Sequence, residues 1–227
     1  MRGWFASSFI VGAALLSPTG TDAADAQLQL LKAPPERPDP KGRYLFYLHG
    51  RIIEEAGRRP KHPRWGFYEY DAILRTLGSR GHVVISEQRP KNTGVAAHAK
   101  KIATQIRALR QAGVAAEHIA VVGFSKGGAI ASQVLAQVDA TGAPPPRYVL
   151  MGSCLPRALH SRVGPHGRVL LLKEKSDALT RDCPALPDSL AAYAGRESML
   201  DIGGEHGAFY RPVDAWLAPL WQWLEAN

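Results

Sequence analysis

A serine with a glycine two residues to either side, Gly123-Phe124-Ser125-Lys126-Gly127, is the stretch of this chain best suited to covalent chemistry. A hydroxyl is a weak nucleophile until it is held clear of its neighbours and given a base, and a sharp strand-to-helix turn does the first of these. Glycines on both flanks make room for that turn. Composition alone gives such a pentapeptide about 0.1 chance occurrences, so its setting carries more weight than its letters. The setting is an apolar run, Ile119-Ala-Val-Val-Gly-Phe124, followed by a small-residue helical pattern from Gly128 to Val138. An ordinary glycine-rich turn with Ser capping a helix is the plainer reading, and the strand and helix on either side weigh against it. A phosphate-binding loop fails on spacing, because Lys126 precedes Gly127-Gly128 and no hydroxyl follows it.

The elements that must position Ser125 alternate along the chain. Tyr44-Leu-Phe-Tyr-Leu-His-Gly50 is a continuous apolar run, and so are His82 to Ser86, Tyr148 to Gly152, Val169 to Leu172 and Ser198 to Ile202. Between them, Tyr68 to Leu77 and Val95 to Gln111 have helical spacing, with Gly78 and Gly113 as stops, and Val213 to Leu224 reads as a Trp-rich terminal helix. A charged, proline-bearing loop separates Gly50 from Gly66. Strands buried on both faces read as continuous apolar runs, so the pattern predicts an α/β fold: a mostly parallel sheet with helices on both faces.

With 227 residues, 45% of them apolar, the chain can bury one substantial core. Residues 1–26 read as a signal peptide: one early Arg, an apolar stretch from Trp4 to Leu16 too short to span a bilayer, and Ala24-Asp25-Ala26 as a cleavage pattern. A short strand or tail and an extended lead-in with four prolines (27–42) and a single domain (43–227) follow; the leader implies a periplasmic or secreted protein with no transmembrane segment in the mature chain. The net charge is +8, but the basic residues are scattered and not interleaved with aromatics, so the reading is solvated surface and no nucleic-acid partner. Cys154 and Cys183, the only cysteines, form a disulfide or two buried thiols, and an oxidising compartment favours the disulfide.

Strand, Gly-x-Ser-x-Gly turn and helix, with an upstream strand ending in His49-Gly50, resemble the α/β-hydrolase superfamily over about residues 43 to 225. Within it the sequence is similar to small exported bacterial serine hydrolases without a large cap domain. That resemblance implies the order serine, acid, histidine, with the acid after a late strand and the histidine after the last. His160 and His166 precede the strand at Val169, which leaves His206, in the loop Gly203-Gly204-Glu205-His206-Gly207. Asp177 lies where the acid is expected, with Asp182 and Glu174 as competitors and Asp201 too near His206. The resemblance further implies an oxyanion hole made by the backbone amides of Lys126 and Arg51. It also puts Cys154 and Cys183 at neighbouring strand ends, where a bridge would anchor the Asp177 loop.

The implied reaction is acyl transfer on a small ester or related substrate, without cofactor or metal. The segment between Gly152 and Val169 is too short for a lipase-like lid, so the cleft should be open. Specificity then falls to the loop bearing Glu54, Glu55, Arg58, Arg59, His62 and Trp65. Its charges, taken singly, read as solvated; taken together with Lys126, its cations suggest selection of acidic substrates. The contrasting function is a non-catalytic binding module of the cell envelope built on the same fold.

Overall fold

The apolar runs become strands because each is covered on both faces. The computed structural model describes residues 30–138, 145–160, 168–188 and 195–226, together with Met1 and Gly3. Its strands are β1 (Leu30–Leu31), β2 (Arg43–Leu48), β3 (Lys61–His62), β4 (Gly66–Phe67), β5 (His82–Ile85), β6 (Ile119–Phe124), β7 (Arg147–Met151), β8 (Arg168–Glu174) and β9 (Gly195–Leu200). Its helices are α1 (Arg51–Ala56), α2 (Tyr70–Gly78), α3 (Val95–Gln111), α4 (Lys126–Gln137) and α5 (Asp214–Glu225). Seven strands form one sheet in the order β1-β5-β2-β6-β7-β8-β9, and every described pair in it is parallel. β3 and β4 make a separate antiparallel hairpin.

Alternate side chains of the strands enter two cores. Phe46, Leu48, Val121, Leu150 and Leu171 pack on one face with Ile102 and Ile106 of α3 and Ile130 and Val134 of α4. Tyr47, Val122, Val149 and Leu170 pack on the other with Ile53 of α1, Ile73 and Leu77 of α2, and Trp216 and Leu220 of α5. Removing a large side chain from either layer would cost about 2–5 kcal/mol, since the close-packed neighbours relax only in part.

The structure departs from the sequence expectation after Gly50. The segment after Gly50 is not all loop: Arg51-Ile-Ile-Glu-Glu-Ala forms α1, supported by an Arg51–Glu55 ion pair of 2.9 Å one turn apart, and the hairpin follows. In the lead-in, where the sequence offers a short strand or a tail, Leu30–Leu31 is a strand at the sheet edge beside β5, with Leu31 O accepting a 2.8 Å bond from Ser86 N–H. The proposed leader falls outside the described residues, Met1 and Gly3 apart. No helix among the described residues is long and apolar enough to cross a membrane.

Because the sheet is parallel, the C-terminal ends of its strands share one edge. The turns after β2, β6, β8 and β9 therefore meet there, which is where open α/β sheets bind their ligands.

Candidate active site

Ser125 sits in the turn between β6 and α4 at φ 55°, ψ −118°, a region costly for a residue with a Cβ. The surroundings enforce it. Its N–H donates to Met151 O at 2.9 Å, tying the turn to β7, and its C=O accepts from Ala129 N–H at 3.1 Å. The flanking glycines are required by close approach: a Cβ on Gly123 would lie 2.3 Å from Gly127 O, and one on Gly127 would lie 1.8 Å from Leu48 O at the end of β2. Only at glycine can the start of α4 come this near β2.

His206 lies on a 3-10 turn (Glu205–Phe209) after β9, nearly buried and packed against Phe124 and Trp65 with ring centroids 4.9 and 5.5 Å away. Its Nε2 is 2.8 Å from Ser125 Oγ, and its Nδ1 is 2.8 Å from Asp177 Oδ2. Asp177, in the turn after β8, is 1% exposed, and its other oxygen accepts from Leu179 N–H at 2.9 Å. Burial alone would raise the Asp177 carboxyl, but the hydrogen bond and charge of His206, with the Leu179 amide, outweigh it and hold the carboxyl below its usual range. A carboxylate on Nδ1 leaves Nε2 as the ring's acceptor, which is the state a general base requires.

Of the other carboxylates, Asp182 is exposed, and Glu174 and Asp201 are occupied elsewhere. Glu174 accepts from Ser176 Oγ–H at 2.8 Å and Ile202 N–H at 3.3 Å, so it clamps the Asp177 turn to the segment after β9. Asp201 pairs with Lys175 at 2.8 Å on the surface. His160 faces Leu155 O at 3.4 Å, and His166 lies outside the described residues.

On the opposite side of Ser125 is the turn His49-Gly50-Arg51. A Cβ on Gly50 would fall 3.7 Å from Ser125 Cβ, so this turn is against Ser125. Gly50 N–H points to Tyr68 Oη at 3.5 Å, while Arg51 and Ile52, in the first turn of α1, line the same cavity as Ser125. Lys126 opens α4, where its amide likewise has no acceptor within the helix. His49 is fully buried; burial, and after it the charge of Arg89, press its pKa down to about 3. The neutral ring donates from Nδ1 to Gly50 O at 2.8 Å and accepts Arg89 N–H at Nε2 at 3.0 Å.

Beneath this turn lies a group that the sequence reading placed in solvent. Glu54 is 4% exposed, and it pairs with Arg89 at 2.7 Å and Lys126 at 2.5 Å. The other cations of the loop are also engaged: Arg51 with Glu55, Arg58 with Asp71, Arg64 with Glu205, and Arg59 over the Phe67 ring. Each of these cations has a partner within the protein, and the expectation that they select acidic substrates draws no support from the arrangement. Arg89 itself carries no local signal; it is a charged residue just past a buried strand, and its burial depends on Glu54.

The cavity over Ser125 has a volume of about 280 Å³; Ile52, Trp65, Phe124, Leu179 and Tyr210 line it together with Arg51, Glu55 and His62. Trp65 is fixed by a 2.9 Å bond from Nε1–H to Glu205 and by stacking on His62 at 3.9 Å. Cys154 and Cys183 are bonded, with Cα atoms 5.2 Å apart, inside the roughly 4.4–6.8 Å a disulfide spans. The bridge ties the segment after β7 to turns that begin at Asp177, through Thr180 N–H to Asp177 O and Cys183 N–H to Thr180 O, both 3.2 Å. Among the described residues no three His, Cys, Asp or Glu side chains are gathered as a metal site.

No protein-family model matches this sequence, and no curated protein does. Solved structures do resemble it. RedJ, a thioesterase of the prodiginine pathway from Streptomyces coelicolor, aligns with TM-score 0.50 and 18% identity over 85% of this chain and 90% of its own. A protein of Klebsiella pneumoniae subsp. pneumoniae described as a dienelactone hydrolase aligns with TM-score 0.52 and 15% identity over 85% and 91%. With a parallel sheet in this strand order and a sharp strand-to-helix turn after β6, the chain has the α/β-hydrolase fold.

Proposed function

We propose that this chain is a serine hydrolase that cleaves small esters or related acyl compounds through an acyl-enzyme on Ser125. One observation carries the proposal: His206 bridges Ser125 Oγ and Asp177 Oδ2 at 2.8 Å on each side, on a turn whose backbone is held at φ 55°. His206 takes the hydroxyl proton as Oγ attacks the acyl carbon, and Asp177 holds the ring and stabilises the imidazolium that forms. The amides of Lys126 and Arg51 receive the oxyanion. Collapse of the tetrahedral species expels the alcohol or thiol, protonated by His206; water activated by the same imidazole then releases the acid. A cavity of about 280 Å³, lined by Ile52, Trp65, Phe124, Leu179 and Tyr210 with Arg51, Glu55 and His62 beside them, favours short acyl groups. The fold is shared with proteins described as a thioesterase and a dienelactone hydrolase, in keeping with a hydrolytic role.

Export belongs to the same proposal. A Cys154–Cys183 bridge persists in an oxidising compartment, and residues 1–26 have the composition of a cleaved leader. The N-terminal sequence of the protein recovered from its host tests this, with a start near Gln27 expected.

For catalysis, the purified protein is incubated with a fluorophosphonate probe and a panel of p-nitrophenyl esters and acyl thioesters. Wild type takes up the probe and turns over short-chain esters faster than long-chain ones, and Ser125→Ala does neither. A folded wild type that takes up no probe fits a binding module and overturns the proposal.

A further inference from the structure

A carboxylate is expensive to remove from water, and Glu54 has been removed from it almost completely: its side chain is 1% exposed, as is that of its partner Arg89. A buried ion pair of this kind is rarely the most stabilising choice, since apolar residues of the same volume do as well or better. What distinguishes this one is where its ends are attached. Glu54 stands in the first turn of α1, three residues past Arg51. Its Oε2 receives Lys126 Nζ–H at 2.5 Å, and Lys126 is the residue directly after Ser125. Its Oε1 receives Arg89 Nε–H at 2.7 Å. Arg89 in turn donates from Nη2 to His49 O and from its backbone N–H to His49 Nε2, the latter at 3.0 Å. A continuous path of charged hydrogen bonds thus runs from the residue after the nucleophile, through Glu54 and Arg89, to the turn that carries the Arg51 amide.

We propose that Glu54 is a positioning residue that fixes the separation of the two oxyanion-hole amides, Lys126 N–H and Arg51 N–H, by joining the segments that bear them. The inference rests on the serine-hydrolase reading above. Oxyanion donors act only at hydrogen-bond distance from the developing charge, and a displacement of an ångström is enough to lose most of their effect. Loss of the tether should therefore slow the chemical step and leave ground-state binding of a neutral ester nearly unchanged.

The informative variant is Lys126→Met, which removes the partner of Glu54 Oε2 while Arg89 still holds Oε1 and offsets the carboxylate charge. With p-nitrophenyl acetate, kcat at 25 °C should fall about 10- to 100-fold with KM changed less than about twofold, in a protein that melts at a lower temperature but still in one cooperative step, since Glu54 Oε2 loses its partner. Lys126→Arg, which can still reach the carboxylate, should recover most of the loss. Glu54→Gln, close in shape, should fall at least as far as Lys126→Met, and the double variant no further than Glu54→Gln, because both act on one tether. Lys126→Met with more than half the wild-type kcat overturns the inference, as does a loss confined to KM, which would mean that Lys126 touches the substrate. Wild type that is labelled by fluorophosphonate and active, beside an unimpaired Lys126→Met, removes only the role of Glu54. An unlabelled, inactive wild type removes the hydrolase reading and this role together.

Discussion

Replacing both Cys154 and Cys183 by Ser opens a loop whose ends are 29 residues apart in sequence. In the chain-entropy account, closing a loop of that length restricts the unfolded ensemble by about 3.6 kcal/mol at 25 °C. For a domain of this size each kcal/mol moves the thermal midpoint by about 2–4 °C, so the double Ser variant should melt roughly 7–14 °C below wild type. Circular dichroism melts of the two proteins, without reductant, measure this; wild type with reductant should move toward the variant. Activity at 25 °C should fall by less than about tenfold, because Asp177 keeps its bonds to Leu179 N–H and His206 when the bridge is gone. A midpoint within 2 °C of wild type would show that the loop from Cys154 to Cys183 is already restricted without the bridge, and the entropic argument would be refuted.

Three further outcomes are expected. Folding holds His49, His82 and His98 neutral, with burial as the main cause and pKa values pressed down to about 3, 4 and 4 from an unfolded value of about 6.5. Between those values the unfolded chain binds protons that the folded chain does not, so stability falls as pH drops from about 6.5 toward 4, by up to about 4 kcal/mol per pH unit near pH 5. Urea midpoints that are equal at pH 7 and pH 5 would exclude this. Asp177, depressed in the fold, adds a further loss only below the ordinary carboxylate range, as its bond to His206 is protonated away. Gly127→Ala puts a methyl 1.8 Å from Leu48 O, a backbone atom that cannot turn aside, and should destabilise by at least about 3 kcal/mol in denaturant melts with loss of probe labelling. Asp177→Asn should keep the fold and lower kcat by about 10⁴-fold, since an amide can hold the ring in the wrong tautomer; a loss below tenfold on p-nitrophenyl acetate would assign the acid's role elsewhere.

The boundaries of α3 were legible to the residue, Val95 to Gln111, because a 17-residue amphipathic pattern ends at a glycine, Gly113, held at φ 90°. The central strands were legible because they are buried on both faces. β9 was displaced, read as Ser198 to Ile202 and found as Gly195–Leu200, because an edge strand exposes side chains and Arg196 and Glu197 interrupt the apolar run. α1 escaped notice for a different reason. Its six residues are too few to show a period, and Gly50 at its N-cap offers no capping side chain.

The candidate site divides along the same line between local and distant causes. Ser125 is marked by its own neighbours, since the glycines that permit its φ and the approach of α4 to β2 lie within two residues of it. His206 and Asp177 are marked by their place relative to the strands, which chain order preserves. Glu54 has neither mark. It stands beside Glu55 in Arg51-Ile-Ile-Glu-Glu-Ala, and nothing local separates the two carboxylates: one helical step turns Glu55 to solvent, paired with Arg51 at 54% exposure, and Glu54 inward. What allows Glu54 to be buried is a guanidinium 35 residues on and an ammonium 72 residues on. A charge in a short segment is therefore read as solvated until the fold supplies its partners, and the two that the fold supplies here are the residue after Ser125 and the clamp on His49.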